Sequence, residues 1–254
     1  MTISNAVLKR ILLLAFLFAA QVLLVWKSEA QVISATAIAN GNGCPSGTYA
    51  VVFAPDQSSF SVLFSRMNVA TKNAQRQDAD SKRAKCVVSV DMQLAPGTQI
   101  SLDRVDYRGF YILEKNAKLA MISEHFFENG ATLVRKQNKD MYVAGGTAPG
   151  GMRQRLRGPG SESFFWTATK SNQESISPCG GGTRLHVVTS VVLQGGGNSQ
   201  SQASVDSADG TFSQYYQLNV GPCRHQFNVP ATPKDFLKKV LDPNSPQDGI
   251  ISAI

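Results

Sequence analysis

Two cysteines, Cys44 and Cys179, each set in a Gly/Pro corner that launches an apolar run, constrain this chain more than any other feature. The first corner opens residues 43–64, GCPSGTYAVVFAPDQSSFSVLF, and the second opens residues 178–193, PCGGGTRLHVVTSVVL. Cys86 and Cys223 are the next cysteines downstream of each corner. Four cysteines allow three pairings, and sequence alone does not choose among them. The sequential pairing closes two loops of similar length and suits the repeated corner; each closure would remove about 4 kcal/mol of unfolded-state entropy. Zinc is disfavoured, because no pair has the C-x-x-C spacing that brings two thiolates to one metal.

Disulfides persist in oxidising compartments, and the first thirty residues read as the route to one. Lys9 and Arg10 precede an apolar run from Ile11 to Trp26 broken by Gln21, and Ser28 and Ala30 place small residues at −3 and −1 before Gln31. That is the layout of a cleaved secretory signal peptide. A membrane anchor wants about twenty apolar residues, so membrane contact is expected only through an uncleaved leader. No cysteine follows the cut, which leaves a lipoprotein anchor without support. Periplasmic or fully extracellular residence is expected. The mature chain is mildly basic, at about +5.

The mature chain reads as strands. Tyr49, Val51 and Phe53 alternate, residues 55–58 turn, and Phe60, Val62 and Phe64 alternate back, which predicts a hairpin. Cys86, Val88, Val90, Met92 and Leu94 form a clean period-two face with Val87, Ser89, Asp91 and Gln93 opposite, as an antiparallel sheet with one wet face requires. Ile100 and Leu102 continue one face, but Val105 and Tyr107 fall out of phase by one, which predicts a bulge near Asp103 and Arg104. Leu119 to Phe127, followed by Asn129-Gly130 and Leu133-Val134, predicts a second hairpin; Asp209-Gly210 predicts a third. Residues 66–85 read as a long loop or a frayed edge, and the basic, Gly-rich residues 135–160 as a loop. Leu185, Val187, Val191 and Leu193 share a face after the second corner. Beyond Cys223, Thr232-Pro233 and the stripe Phe236, Leu237, Val240 and Leu241 predict a short amphipathic helix. The expected organisation is therefore a signal peptide at 1–30, an antiparallel β-sandwich-like all-β domain at 31–223, and an extension with a short helix at 224–254.

Gly43-Cys44-Pro45, Tyr107-Arg108-Gly109-Phe110 and Ser177-Pro178-Cys179-Gly180, in that order, resemble an uncharacterised family of secreted proteins from bacteria and fungi, the domain of unknown function 4360 family. The likeness spans about Val32 to Cys223. It implies secretion, a β-rich fold and the sequential disulfides, and it brings no established activity or catalytic residue. The basic stretches near residues 66–85 and 135–157 and the extension after Cys223 depart from the family pattern.

Chemistry is sparse in the sequence. There is no G-x-S-x-G elbow, H-E-x-x-H helix or phosphate loop. His125, His186 and His225 are the three histidines; His125 and Glu128 would point to opposite faces of a strand. Asp78 with Asp80, or Asp206 with Asp209, lacks the alternating acidic loop that calcium wants. No metal, cofactor or catalytic residue is expected. Charge placement is more informative, since residues 66–85 carry six basic and two acidic side chains and residues 135–157 six and one. The expected function is a non-catalytic module of the cell exterior. It would hold an anionic polysaccharide or envelope component through Lys82, Arg83, Arg153, Arg155 and Arg157. The plain counter-reading is that such loops solubilise the protein and protect sheet edges. Nucleic acid is a poor partner, because Tyr142 alone offers a stacking ring in the second basic stretch. The alternative function is a secreted hydrolase or enzyme inhibitor, for which Tyr107, Arg108, Glu124 and His125 are the candidate residues.

Overall fold

A computed structural model describes residues 32–71, 82–128, 131–136, 139–144, 150–169, 173–195, 200–205 and 214–224, with backbone alone for 131–136, 139–144, 150 and 173–174. All of them belong to the compact unit Gln31–Ile254. The expected helix at 233–241 lies outside the described residues; within them the structure is all strand and turn.

Fifteen strands are described, in two antiparallel sheets. The five-stranded sheet runs in the order β1 (Val32–Asn40), β5 (Arg83–Leu94), β13 (Gly181–Gln194), β7 (Lys118–Phe127) and β10 (Gly150–Arg157). The ten-stranded sheet is organised around β6 (Thr98–Leu113). One side of β6 takes β15 (Gln214–Pro222) and then β14 (Gln202–Ser204); the other takes β11 (Gly160–Thr169) and β12 (Gln173–Ile176). β3 (Ser59–Phe64) and β2 (Tyr49–Phe53) extend the sheet beyond β15, and β8 (Ala131–Lys136) and β9 (Lys139–Ala144) beyond β12. A short β4 (Asn68–Ala70) pairs with β14.

Period-two patterning builds the layer between the sheets. Val88, Val90, Met92 and Leu94 of β5 and Leu185, Val187, Val191 and Leu193 of β13 share one buried core with Phe60, Val62 and Phe64 of β3. The predicted hairpin is present, with Phe53 opposite Phe60, Val51 opposite Val62 and Tyr49 opposite Phe64. The phase slip in β6 is also real: Gln217 faces Arg104 while Leu218 faces Leu102, so Asp103 is the extra residue of a bulge. It lets Ile100 and Leu102 before it, and Val105 and Tyr107 after it, all reach the same core. Gly109 in the Tyr-Arg-Gly-Phe tetrad is needed for space, because a Cβ there would collide with the Ser204 carbonyl and the Phe164 ring.

Two expected hairpins do not form. β7 lies in the five-stranded sheet and β8 in the other, so Leu119–Phe127 and Leu133-Val134 are not paired. Likewise β14 and β15 lie end to end along the same side of β6 rather than against each other. Asn129-Gly130 and Asp209-Gly210 themselves lie outside the described residues. The reason is tertiary: the chain enters the five-stranded sheet one strand at a time and returns to the other sheet after each visit. Such a path turns at sheet corners, whereas dipeptide turn chemistry reports only local reversal. The basic stretches are corrected as well. Residues 66–85 contain β4 and the start of β5, and residues 135–157 contain the end of β8 and all of β9 and β10, so neither is simply a loop.

Both sequential disulfides are formed, Cys44–Cys86 with Cα atoms 5.5 Å apart and Cys179–Cys223 at 5.6 Å. The first ties the β1–β2 corner to the first third of β5, and the second ties the entry of β13 to the exit of β15. The corner glycine Gly180 has a φ of 64°, which a residue without Cβ adopts at little cost.

Candidate anion-binding face

β10 is an edge strand of the five-stranded sheet, and its alternation decides where its arginines go. Met152 and Leu156 turn inward and pack against the core, so Arg153, Arg155 and Arg157 point away from it and are exposed. Register then extends the face across the sheet. Arg155 pairs with Ala120, Ala120 with Val192, and Val192 with Arg83, which puts Arg83 and Arg155 in one outward row three strands apart. That separation is about 14 Å at the usual strand spacing. Lys118, paired with Arg157, joins the same face. Lys82 is exposed immediately before β5. Of the five basic residues singled out in sequence, Arg83, Arg153, Arg155 and Arg157 fall on strands of one face, and Lys82 lies at its margin just before β5.

Charge on this face is partly compensated. Arg153 donates to Glu124 at 2.6 Å, across the β10–β7 pair. Exposed ion pairs of this kind contribute about 0–1 kcal/mol, so a competing polyanion displaces the carboxylate at small cost. Sequence reading placed Glu124 in a catalytic set; here it partners an arginine.

The other members of that set do not converge. Tyr107 and His125 are buried and face inward, whereas Arg108 lies on the outer side of the ten-stranded sheet, 5.5 Å from the Phe165 ring. Glu124 lies on the outer side of the opposite sheet. Strand alternation separates Tyr107 from Arg108 and Glu124 from His125. The four share no surface.

Burial pushes the His125 imidazole down to about 4 from its usual 6.5. The unfolded chain takes up this proton near pH 6.5 and the folded chain only near pH 4. The stability contributed by the neutral ring is thus complete above pH 6.5 and is lost as pH falls toward 4. Urea denaturation is expected to show a decline on the order of 3 kcal/mol across that window from this residue. His125→Gln should flatten the slope; an unchanged slope would remove His125 from the account. His186, whose pKa is lowered by burial against the opposing pull of Glu128, adds a separate decline in the same direction.

A second polar cluster, not found from sequence, lies at the other end of the sheet. Asp91 and Arg184 are register partners on β5 and β13, bonded through Nε to Oδ1 at 2.6 Å and Nη2 to Oδ2 at 3.1 Å. Glu128 lies 3.8 Å from Arg184 and 3.6 Å from the buried His186, whose Nδ1 is 3.0 Å from Ser89 Oγ. The Asp91 bond raises the Arg184 pKa. Asp91, Arg184 and Glu128 border an open cleft of about 500 Å3 with Ser34, Thr36 and Thr183. The one sequence signal for it was the polar alternation of β5. Arg184 engages both carboxylates, so the cluster is an ion network that locks neighbouring strands. Among the described residues, no group of three or more His, Cys, Asp and Glu side chains is placed to hold a metal.

The fold and its two clasps define a disulfide-stapled all-β domain of the export pathway. The chain belongs to the domain of unknown function (DUF4360) family, whose sequence pattern matches residues 30–223. A relative in Arthroderma benhamiae, named as an uncharacterized secreted protein, is 24% identical over 186 residues, which cover 72% of this chain and 68% of that one. The protein is secreted, in keeping with this relative and with both disulfides. Among solved structures, TmCBM61 in complex with beta-1,4-galactotriose aligns at a TM-score of 0.21 and 11% identity, over 76% of this chain and 91% of that one. The enzymatically active domain of bacteriophage CBA120 tailspike protein 4 aligns at 0.19 and 12% identity, over 75% of this chain and 20% of that one. Superpositions this loose carry no functional argument.

Proposed function

We propose that the protein is a non-catalytic exterior module that holds an anionic polymer, such as an acidic polysaccharide or an envelope polyanion, along β10. The observation that carries this reading is the run Arg153, Arg155 and Arg157 on the exposed side of one edge strand. Alternate residues of a strand repeat at about 6.7 Å, so the strand presents a regular row of guanidinium groups to a linear chain of carboxylates, sulfates or phosphates. Arginine suits that role because its planar fork bonds such oxyanions through two parallel N–H groups. Arg83 and Lys118 widen the positive field on the same face. The scattering of Tyr107, Arg108, Glu124 and His125 over different surfaces favours binding over hydrolysis.

Heparin chromatography tests the reading, because attraction to a polyanion weakens with salt. The wild-type chain should be retained at low salt and elute only as sodium chloride rises. Arg153→Gln with Arg155→Gln and Arg157→Gln should lower the eluting salt concentration about twofold or more, while Arg66→Gln with Arg108→Gln should not. Shifts in proportion to the charges removed, three against two, would mean that net charge alone is being read and would overturn the proposal, as would no retention of the wild type.

A further inference from the structure

At the end of the five-stranded sheet away from the arginine row, strand register lays out two outward rows of polar side chains. Thr36, Asp91 and Arg184 are paired across β1, β5 and β13, and Ser34, Gln93 and Gly182 make the next row. Glu128, just past β7, extends the first row, because its N–H donates to the Arg184 carbonyl at 2.8 Å. The rows lie about 7 Å apart, and the first spans about 14 Å. Both line the open cleft of about 500 Å3, a volume inside the range of about 300–1,000 Å3 that small-ligand sites occupy. The arginine row is a separate place. Ser190, in the row of Arg153, is six residues along β13 from Arg184, or about 20 Å.

The chemistry of the lining selects the occupant by elimination. Two carboxylates against one guanidinium leave the cleft net negative, which repels a polyanion. Arg184 sits between Asp91 and Glu128, so a metal cation would meet a guanidinium where it needs open carboxylates. Among the described lining residues, Met92 and Pro178 are the only large apolar ones, and Met92 is buried. An apolar ligand has little to rest on. What fits is an uncharged molecule rich in hydroxyls, and the side chains hold hydrogen-bonding capacity for it. Each Asp91 oxygen accepts one bond from Arg184 and has room for another. Glu128 Oε2 stands 3.8 Å from Arg184 Nη1, beyond hydrogen-bond length, so neither group is saturated by the other. Ser34, Thr36 and Gln93 are exposed and carry both donors and acceptors.

We propose that this cleft is a binding site for a neutral glycan chain, whose hydroxyls bond to Asp91, Gln93, Arg184 and Glu128. Hydroxyls bonded to ionised groups make the stronger class of hydrogen bond. The Asp91–Arg184 fork is already formed across β5 and β13, so little side-chain freedom is lost on binding. Gly182 keeps the second row open, since a Cβ there would stand 3.6 Å from Gln93 Oε1. Thr183, also in the lining, has its Oγ1 buried with no hydrogen-bond partner among the described residues. Buried polar atoms are nearly always paired, so the wall is one bond short, which a hydroxylated occupant or the water it carries supplies.

Binding of the full secreted chain to immobilised cellotetraose, laminaritetraose, mannotetraose, xylotetraose and maltotetraose tests the proposal. At least one should bind, with an affinity that changes less than about twofold between low salt and 1 M sodium chloride, as an uncharged ligand requires. Thr36→Ala with Gln93→Ala changes two exposed side chains outside the core and should weaken that binding at least tenfold with the melting temperature unchanged. Arg153→Gln with Arg155→Gln and Arg157→Gln should leave it intact, which separates this site from the β10 row: either can fail without the other. No binding to any of the five, equal binding by the Thr36 and Gln93 variant, or loss of binding in the arginine variant would each overturn the proposal.

Discussion

Replacing Cys44 and Cys86 together by alanine is expected to lower the unfolding free energy by about 4 kcal/mol, read as a fall in the urea midpoint. The residues are 42 apart in sequence, so the bond removes a large set of open-loop conformations from the unfolded chain. Both are buried in the core, at 1% and 0% exposure, and alanine avoids placing a hydroxyl there without a partner. Native domains have about 5–15 kcal/mol in total, so the loss is a large share of what holds this one folded. Reductant should shift the wild-type midpoint strongly. In the double alanine variant it should produce only the smaller shift that belongs to Cys179–Cys223. A wild-type midpoint indifferent to reductant would show that the clasps are not formed in solution.

Phe60→Ala is expected to cost about 4 kcal/mol, while Phe165→Ala costs under about 0.5 kcal/mol. The contrast follows from which face of a sheet each ring occupies. Phe60 is 1% exposed, stacked on Tyr216 at 4.7 Å between centroids and in tilted contact with Phe53 at 5.8 Å. Its removal leaves a cavity that the surrounding strands, pinned by β2 and β15, fill only partly. The Tyr216 hydroxyl under it donates to Gln214 Oε1 at 2.7 Å, and Gln214 Nε2 donates to Thr189 Oγ1 at 2.8 Å. Part of the cost would be strain on that buried polar chain. Phe165 is 50% exposed on the outer side of the other half of the same sheet. Chemical denaturation of the two variants would settle the assignment of faces, and similar losses would refute it.

The arginine row and the buried centre of the outward face give the five-stranded sheet two distinct regions on one side. Its β10 edge offers charge, and its centre is closed. A polyanion would then meet a shallow strip of charge, for which binding should be strongly salt-dependent and tolerant of polymer sequence.

Local structure in this chain is legible from its residues alone. The β2–β3 hairpin, the inward face of β5 and the bulge at Asp103 all follow from side-chain alternation, because a strand's period of two is a property of neighbouring residues. The cysteine corners are legible as corners, and the leader with four later cysteines as the mark of an exported chain. The pairing Cys44–Cys86 and Cys179–Cys223 is implied by family resemblance, since spacing leaves three choices. Met152 and Leu156 alternating with the arginines of β10 is a readable strand signal, overshadowed by the glycines and charge around it. The rest required the assembled sheets. Asn129-Gly130 looks like a hairpin turn, yet β7 and β8 part to different layers because strand partners are chosen by whole-face burial. Glu124 and His125 are neighbours in sequence that alternation sends to opposite sides of one sheet, and Arg83 and Arg155 are distant in sequence yet share a row. Sequence sets which way each side chain points along its own strand; only the order of strands decides what it meets across the sheet.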